Sequence, residues 1–209
     1  FLVKMKFNFN EVYQIESGVS QKKIYRFKNS DKEGVFVDFS YNNKDYHSFL
    51  EINKFLSTIN ISVPKIFDFE DSKQLILMED FGNKRYDIII NSMDLKEVLL
   101  NSIDSLIEIQ NTSQLKNKYN LDSYNFSLFK IEITEFVDFY LPYKNISKSI
   151  ADEFLTIWYS EFENLNFNWN SFVHKDFELS NLIHLENREG HLKCGILDYQ
   201  NAFIGFAGW

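Results

Sequence analysis

The most informative run of this chain is Phe172-Val173-His174-Lys175-Asp176-Phe177-Glu178-Leu179-Ser180-Asn181, and Gly195-Ile196-Leu197-Asp198-Tyr199-Gln200 follows it after a short interval. Together the two runs place a histidine, an aspartate, an asparagine and a second aspartate in fixed order. Each polar residue stands beside apolar residues that are typical of buried strands. Phosphoryl transfer uses such a set, because one carboxylate orients a hydroxyl group while an amide and a second carboxylate hold Mg²⁺ on a nucleotide.

Each polar residue in these runs suits a different chemical role. A loop aspartate such as Asp176 can accept a hydrogen bond from an attacking hydroxyl group and take its proton late. Mg²⁺ prefers hard oxygen ligands in octahedral geometry, and Asn181 and Asp198 could supply two of them beside phosphate and water. His174 is interpreted as a loop organiser that hydrogen-bonds backbone groups.

The spacing of the motifs makes the pattern more specific than its single residues. Taken alone, Asp176 or Asp198 would more often be a turn residue. Here the order is His-x-Asp-x-x-x-x-Asn, and Ile-Leu-Asp comes after two strand-like runs, Leu182-Ile183-His184-Leu185 and Cys194-Gly195-Ile196-Leu197. These runs predict a hairpin whose open end displays Asn181 and Asp198.

Composition limits the class of protein. The 209 residues are 44% hydrophobic and 25% charged, which allows a packed core in one large domain or two small lobes. The net charge of −8 argues against a nucleic-acid-binding surface, which needs a basic excess. The single cysteine, Cys194, and the absence of an evident signal peptide favour a cytoplasmic protein. No apolar run approaches the roughly 18 residues that span a bilayer, so no membrane segment is expected.

Hydrophobic periodicity predicts an α+β fold with two lobes. Residues 1–80 show short strand-like runs and one helix, which predict a small antiparallel sheet. After Gly82 the apolar residues fall at helical spacing, and one stripe includes Leu99, Ile103 and Ile107. We therefore predict a nucleotide-covering N-lobe at 1–80 and a mainly helical C-lobe at 81–209 with the catalytic loop and metal site. The C-lobe is expected to be incomplete, because the chain ends soon after its second motif.

The order of these motifs resembles the aminoglycoside phosphotransferase and choline kinase superfamily, whose fold is similar to that of protein kinases. Within it, the chain most resembles the branch of N-acetylmuramate/N-acetylglucosamine anomeric kinases. The runs that carry the resemblance are His174-Lys175-Asp176-Phe177 with Asn181-Leu182, Ile196-Leu197-Asp198-Tyr199-Gln200-Asn201-Ala202 with Gly205, Leu75-Ile76-Leu77-Met78-Glu79-Asp80-Phe81-Gly82, and Ile131-Glu132-Ile133-Thr134-Glu135-Phe136 with Phe139-Tyr140-Leu141-Pro142. The match covers about residues 12–205 in order.

The resemblance implies a role for each matching residue. Asp176 would be the catalytic base, and Asn181 and Asp198 would bind the Mg²⁺ of ATP. The run Met78-Glu79-Asp80-Phe81 would form the hinge where backbone groups meet adenine, and Ser17-Gly18-Val19-Ser20 would be the turn that covers the phosphates. The acceptor would be a hydroxyl group of a small molecule, foremost an amino sugar or cell-wall sugar.

The third predicted strand departs from the general kinase pattern. Kinases carry a lysine there, paired with a glutamate of the following helix. In this chain Val35-Phe36-Val37 is followed by Asp38, and Glu51 of the predicted helix has no evident lysine partner. This departure favours the sugar-kinase branch, and it leaves the phosphate-binding cation unassigned.

Three other interpretations stay open. An aminoglycoside or choline-type kinase would use the same motifs, and an acidic chain is compatible with a polycationic acceptor. A metal-dependent oxygenase could use His174, Asp176 and the distant His191 as a two-histidine, one-carboxylate site. A non-catalytic pseudokinase or a truncated, inactive fragment is the third, because the usual lysine is absent and the chain ends abruptly.

Overall fold

The chain divides into two compact units in the computed structural model. The first unit takes in residues 1–121 and 174–202, and the second takes in 122–173 and 203–209. The residues that the structure describes are 11–15, 21–28, 33–111, 119, 121–166 and 170–206. The predicted phosphate-covering turn at Ser17 and Gly18 lies outside these residues. The boundary predicted between 80 and 81 falls inside the first unit, and the division into lobes stays a prediction.

An antiparallel sheet forms the N-terminal part of the first unit. Its strands are β1 (Glu11–Ile15), β2 (Lys23–Lys28), β3 (Glu33–Asp38), β4 (Ile66–Glu70) and β5 (Leu75–Met78). Within the described residues they pair in the order β1-β2-β3-β5-β4. Strand β5 pairs with both β3 and β4. Its consecutive apolar residues Ile76 and Leu77 are both fully buried, so the sheet is covered on both faces at this strand.

Helix α1 (Asn43–Thr58) covers one face of this part of the molecule. The side chain of Asn42 accepts hydrogen bonds from the Lys44 and Asp45 N–H groups, which fixes where the helix begins. Its buried positions recur at spacings of three and four, as expected for an amphipathic helix. These positions are Tyr46, Phe49, Ile52, Asn53, Phe55 and Leu56.

The rest of the first unit contains α2 (Tyr86–Ile89), α3 (Leu95–Asn111) and a short hairpin. In the apolar stripe on α3, Leu99, Ile103 and Ile107 are about half exposed. The buried residues of the helix are Val98, Asn101, Ser102, Ser105 and Ile109, and the Ser105 hydroxyl group donates to the His191 carbonyl at 3.0 Å. Small side chains are favoured on this face because the backbone of 190–193 packs closely against the helix.

The second unit is mainly helical. Its helices are α4 (Phe126–Glu135), which continues through a π turn at 136–140 into α5 (Leu141–Tyr143), and α6 (Lys148–Asn164). Strand β6 (Ser171–Val173) pairs antiparallel with β9 (Phe203–Gly205). Tyr124, Val173 and Phe203 form a buried cluster, and the stacked rings of Phe129 and Phe162 pack against it.

The predicted α+β class is confirmed, with an N-terminal antiparallel sheet and a mainly helical remainder. Within the described ranges, none of the helices combines the length and the apolar character that crossing a membrane requires. The residues predicted for the site that are described all fall within the first unit.

Candidate active site

The predicted hairpin is confirmed, and it brings two of the motif residues together. Strand β7 (Leu182–His184) pairs antiparallel with β8 (Cys194–Ile196), with Leu182 opposite Ile196. Just beyond this pair the Leu197 N–H group donates to the Asn181 carbonyl at 2.9 Å. Asn181, directly before β7, and Asp198, shortly after β8, therefore lie next to each other at the open end of the hairpin.

The side chain of Asn181 joins Asp176 to this end of the hairpin. Its amide nitrogen donates to the Asp176 carbonyl at 3.0 Å, and the same carbonyl accepts from the Glu178 N–H group at 2.9 Å. Because the amide nitrogen is directed at the loop, the amide oxygen is the atom that can face a cation. The Asp176 residue is exposed, so its carboxylate can meet a substrate from solvent.

The buried side chain of His174 connects the loop that carries Asp176 to Leu197, directly after β8. The residue is 4% exposed, and its Nε2 lies 3.0 Å from the Leu197 carbonyl. Burial lowers the pKa of His174 below its ordinary value, against the hydrogen bond to Leu197 and the nearby carboxylates. A neutral ring donates from one nitrogen only, so Nε2–H donates to Leu197 and Nδ1 carries no proton. His174 therefore holds the residue immediately before Asp198, and its organising role stays a prediction.

The backbone adopts the left-handed conformation at Asp198 and at the residue before Asp176. Lys175, which precedes Asp176, has φ of 76°, and Asp198 has φ of 60°. Residues other than glycine adopt this region infrequently, and aspartate tolerates it better than lysine does. Backbone of this kind occurs often at functional sites, where the surroundings hold it in place. Here it turns the chain sharply at the two positions that carry the carboxylates.

Asp198 is partly buried and bound by two donors. The Lys22 ammonium group forms an ion pair with its Oδ1, and the Gln200 amide donates to the same oxygen at 2.9 Å. Burial opposes ionisation, but the charge and hydrogen bond of Lys22, with Gln200, hold the pKa of Asp198 below its ordinary value. Within the described part of the chain, Oδ2 has no hydrogen-bond partner.

The donor set fits a magnesium ion that is shared with phosphate groups. The Asn181 amide oxygen and the Asp198 carboxylate are hard oxygen ligands of the kind that Mg²⁺ takes. Among the described residues, no group of three or more His, Cys, Asp or Glu side chains could hold a metal ion. Further ligands would come from phosphate oxygens and water, as in nucleotide-dependent enzymes.

The oxygenase interpretation finds no support in this geometry. His191 directs its Nε2 at the Asn60 carbonyl at 3.0 Å, whereas His174 is directed at the Leu197 carbonyl. The two histidines and Asp176 do not form a metal-binding group in the described part of the molecule.

A tyrosine anchors the chain directly after Asp198 under helix α1. Tyr199 is fully buried, and its ring stacks on Phe49 with centroids 4.8 Å apart. The Asn53 amide donates to the Tyr199 hydroxyl group at 2.7 Å and to the Pro64 carbonyl at 2.8 Å. These contacts fix the residue that follows Asp198 and so limit how far the carboxylate can move.

The predicted hinge is held by contacts on both sides. Glu79 donates its N–H to the Lys65 carbonyl at 2.8 Å and pairs with Arg188 at 3.0 Å. The Asp80 carboxylate accepts from Arg26 at 2.8 Å and from the Gly82 N–H group at 2.8 Å. The hinge is therefore ordered by the sheet on one side and by polar side chains on the other.

The last hinge residue lies on the hairpin. The Arg188 guanidinium lies 5.0 Å from the centre of the Phe81 ring. A Cβ atom at Gly195 of β8 would be 2.7 Å from the same ring, so glycine is required there for the close approach. Within the described residues, the Glu79 carbonyl and the Phe81 N–H group make no hydrogen bond. Both groups can therefore meet a ligand, and the adenine-binding role stays a prediction.

The third strand supplies no cation, as the sequence indicated. The Asp38 carboxylate accepts from the Ser40 N–H group at 2.8 Å, which uses it in a local turn. Glu51 of α1 lines an open groove beside Lys54 and Lys65, and it has no ion pair with a described residue. Sequence reasoning missed Lys22 and Arg26, the cations that hold Asp198 and Asp80. The only local signal in the sequence for these two cations was their position, because Lys22 directly precedes β2 and Arg26 lies within it.

The fold is similar to that of solved aminoglycoside phosphotransferases and of a choline kinase. Among solved structures, the chain is similar to an aminoglycoside 2′-phosphotransferase in its GDP complex, with a TM-score of 0.70 and 11% identity over 99% of this chain and 72% of that chain. It is also similar to choline kinase from Streptococcus pneumoniae, with a TM-score of 0.66 and 14% identity over 99% of this chain and 69% of that chain.

In sequence, the chain is similar to N-acetylmuramate/N-acetylglucosamine kinases. The chain is 23% identical over 199 residues to the N-acetylmuramate/N-acetylglucosamine kinase of Pseudomonas aeruginosa, covering 93% of this chain and 56% of the relative. The chain spans about half the length of the curated relatives it matches. No protein-family model matches it. The resemblance predicted from the motifs is therefore confirmed.

Proposed function

We propose that the chain carries the nucleotide site and the catalytic loop of a kinase that moves the γ-phosphate of ATP to a hydroxyl group of a small molecule. The observation that carries the proposal is the meeting of Asp176, Asn181 and Asp198 at one end of a hairpin. There the Asn181 amide donates to the Asp176 carbonyl, and the N–H group of Leu197, the residue before Asp198, donates to the Asn181 carbonyl. Their chemistry and order match the roles of base and magnesium ligands in phosphoryl transfer.

Asp176 would act on the acceptor. Its exposed carboxylate can accept a hydrogen bond from the attacking hydroxyl group, orient it for in-line attack and take its proton. The hydrogen bonds to its carbonyl from Asn181 and Glu178 hold the loop without using the carboxylate. The reacting carboxylate is thus placed by backbone contacts that remain when the acceptor enters.

Asn181 and Asp198 would hold the cation on the nucleotide. The cation they would hold would supply positive charge next to the phosphate groups of the nucleotide. The Asn181 amide is oriented by its bond to the loop, and Asp198 is held by the turn that Tyr199 anchors. Such preset orientation matters because catalysis of this kind consists mostly of positioning and electrostatic stabilisation.

The sequence relatives favour a sugar as the acceptor. The curated relatives are named for N-acetylmuramate and N-acetylglucosamine. A second candidate, a kinase for polycationic aminoglycosides or for choline, is favoured by the solved structures that share the fold. The net charge of −8 is compatible with a cationic acceptor, but sequence identity to the sugar kinases is the higher of the two.

A transfer assay with a panel of acceptors tests the proposal. The purified chain is incubated with Mg²⁺ and γ-labelled ATP or GTP, together with N-acetylmuramate, N-acetylglucosamine, kanamycin or choline. We expect label on one of the two sugars, and labelling at least about 100-fold slower when Asp176→Asn replaces the wild type. Label on kanamycin or choline would establish the second candidate. No transfer to any acceptor, with nucleotide bound, would support the non-catalytic interpretation.

A further inference from the structure

A cation, Lys22, lies beside the predicted magnesium ligand Asp198. It immediately precedes β2, and its ammonium group is paired with Oδ1 of Asp198. The two side chains are only 12% and 30% exposed, so the pair is largely withdrawn from water. An ammonium group in such surroundings requires an anionic partner, because its hydration is mostly lost.

Other cations near the sheet have different partners. Arg26 of β2 is bound by Asp80 and by the Asn83 amide oxygen at 2.5 Å. Lys23, the neighbour of Lys22, is exposed, and it stands opposite Asp38 in the register of β2 and β3. Among the described residues, Lys22 is the cation that contacts the predicted magnesium ligand.

We propose that Lys22 is the phosphate-binding cation of this site, and that its ammonium group passes from Asp198 to phosphate oxygens when Mg²⁺ and nucleotide bind. This inference rests on the proposed function. Lysine suits the role because it offers a compact charge and three donors on a flexible stem. In protein kinases a lysine of the third strand contacts the phosphates, and Asp38 cannot do so here because it is an anion.

The exchange of partners follows from charge balance. In the free protein Lys22 neutralises Asp198, so a metal ion arriving alone must compete with the ammonium group for the carboxylate. With nucleotide present, Mg²⁺ takes Asp198 and the phosphates supply new negative charge for Lys22. Removal of Lys22 should therefore change the two kinds of binding in opposite directions. A purely structural role for Lys22 would weaken both.

The test compares Lys22→Met and Lys22→Gln with Lys23→Met, which removes the same charge one residue away. Binding of ATP in excess Mg²⁺ is measured by calorimetry, and binding of Mn²⁺ alone is measured by electron paramagnetic resonance. We expect both Lys22 variants to bind the nucleotide about 10- to 100-fold more weakly, the range for loss of a charge-assisted hydrogen bond. Mn²⁺ alone should bind as tightly as in the wild type or more tightly. Lys23→Met should stay within about twofold of the wild type in both measurements.

Each other outcome overturns the inference in a recognisable way. Equal nucleotide affinity in the wild type and Lys22→Gln would show that Lys22 does not bind phosphate, and would leave the proposed function intact. Weaker binding of both Mn²⁺ and nucleotide, with a lower melting temperature in Lys22→Gln, would make Lys22 a structural residue. The Gln variant is informative even if Lys22→Met fails to fold, because its amide can still donate to Asp198. A wild-type chain that binds no nucleotide would overturn the proposed function together with this inference.

Discussion

Replacing Asp198 with alanine should abolish Mg²⁺-dependent nucleotide binding. The substitution removes the carboxylate that, with the Asn181 amide oxygen, is proposed to hold the cation. Changes to groups that merely support a metal ligand typically weaken metal binding 10- to 100-fold, so loss of the ligand itself should exceed about 100-fold. Calorimetric titration with ATP in the presence of Mg²⁺ measures the effect.

The Asp198 variant needs a control for stability. Asp198→Ala removes the carboxylate that pairs with the partly buried Lys22 ammonium group, and loss of one partner of such an ion pair destabilises a fold. Asp198→Asn keeps the side-chain volume and can be compared by thermal unfolding. Asp104→Ala on the exposed side of α3 removes the same charge away from the motifs. A folded Asp198→Ala variant that binds MgATP as tightly as the wild type would refute the metal assignment.

Replacing Asp176 with asparagine should spare nucleotide binding and lower turnover by a factor of about 10² to 10⁴, the usual contribution of a general base. The amide has the same shape as the carboxylate but cannot take the proton of the acceptor. The structural cost is small, because the residue is exposed and its carbonyl keeps the hydrogen bonds from Asn181 and Glu178. Steady-state kinetics should show the loss in kcat, while the Kd for MgATP stays within about threefold.

Glu178→Gln is the matched control for Asp176→Asn. Glu178 lies in the same loop, is exposed, and accepts a hydrogen bond from the Ser180 hydroxyl group. The control removes the same charge and should keep kcat within about threefold, since exposed charges contribute little on their own. Equal losses in the two variants would point to the charge of the loop as a whole and would contradict a specific role for Asp176.

The sequence allowed the site to be predicted where its geometry follows from local structure. Asn181 and Asp198 flank the two strands of one short hairpin, so pairing of those strands brings them together. Asp176 precedes Asn181 by 5 positions, and one hydrogen bond from the Asn181 side chain joins them. Strand alternation and turn residues are sufficient signals for contacts of this kind.

The contacts that escaped prediction join residues far apart in the chain. Lys22 and Asp198 are separated by 176 positions, and Asn53 and Tyr199 by 146. No periodic pattern specifies such pairs, because they depend on how the sheet, the helix and the hairpin pack together. The position of Lys22 beside Asp198 is therefore a property of tertiary structure.

The partial burial of α3 escaped prediction for a different reason. In its apolar stripe, Leu99, Ile103 and Ile107 are about half exposed, whereas Val98 is buried. The buried face also carries Ser105, whose hydroxyl group donates to the His191 carbonyl. The pattern of apolar residues on a helix does not show whether a buried backbone carbonyl group receives a hydrogen bond. Leaving such a group unpaired nevertheless costs free energy of folding.

The Mg²⁺ dependence of ATP binding by the wild-type chain tests the central claim most directly, because it requires no knowledge of the acceptor. Calorimetric titration is carried out once with Mg²⁺ and once with a chelator in its place. If Asp176, Asn181 and Asp198 form one magnesium–nucleotide site, ATP should bind at least about 10-fold more tightly with Mg²⁺. Equal affinity under the two conditions, or no binding under either, would contradict the account.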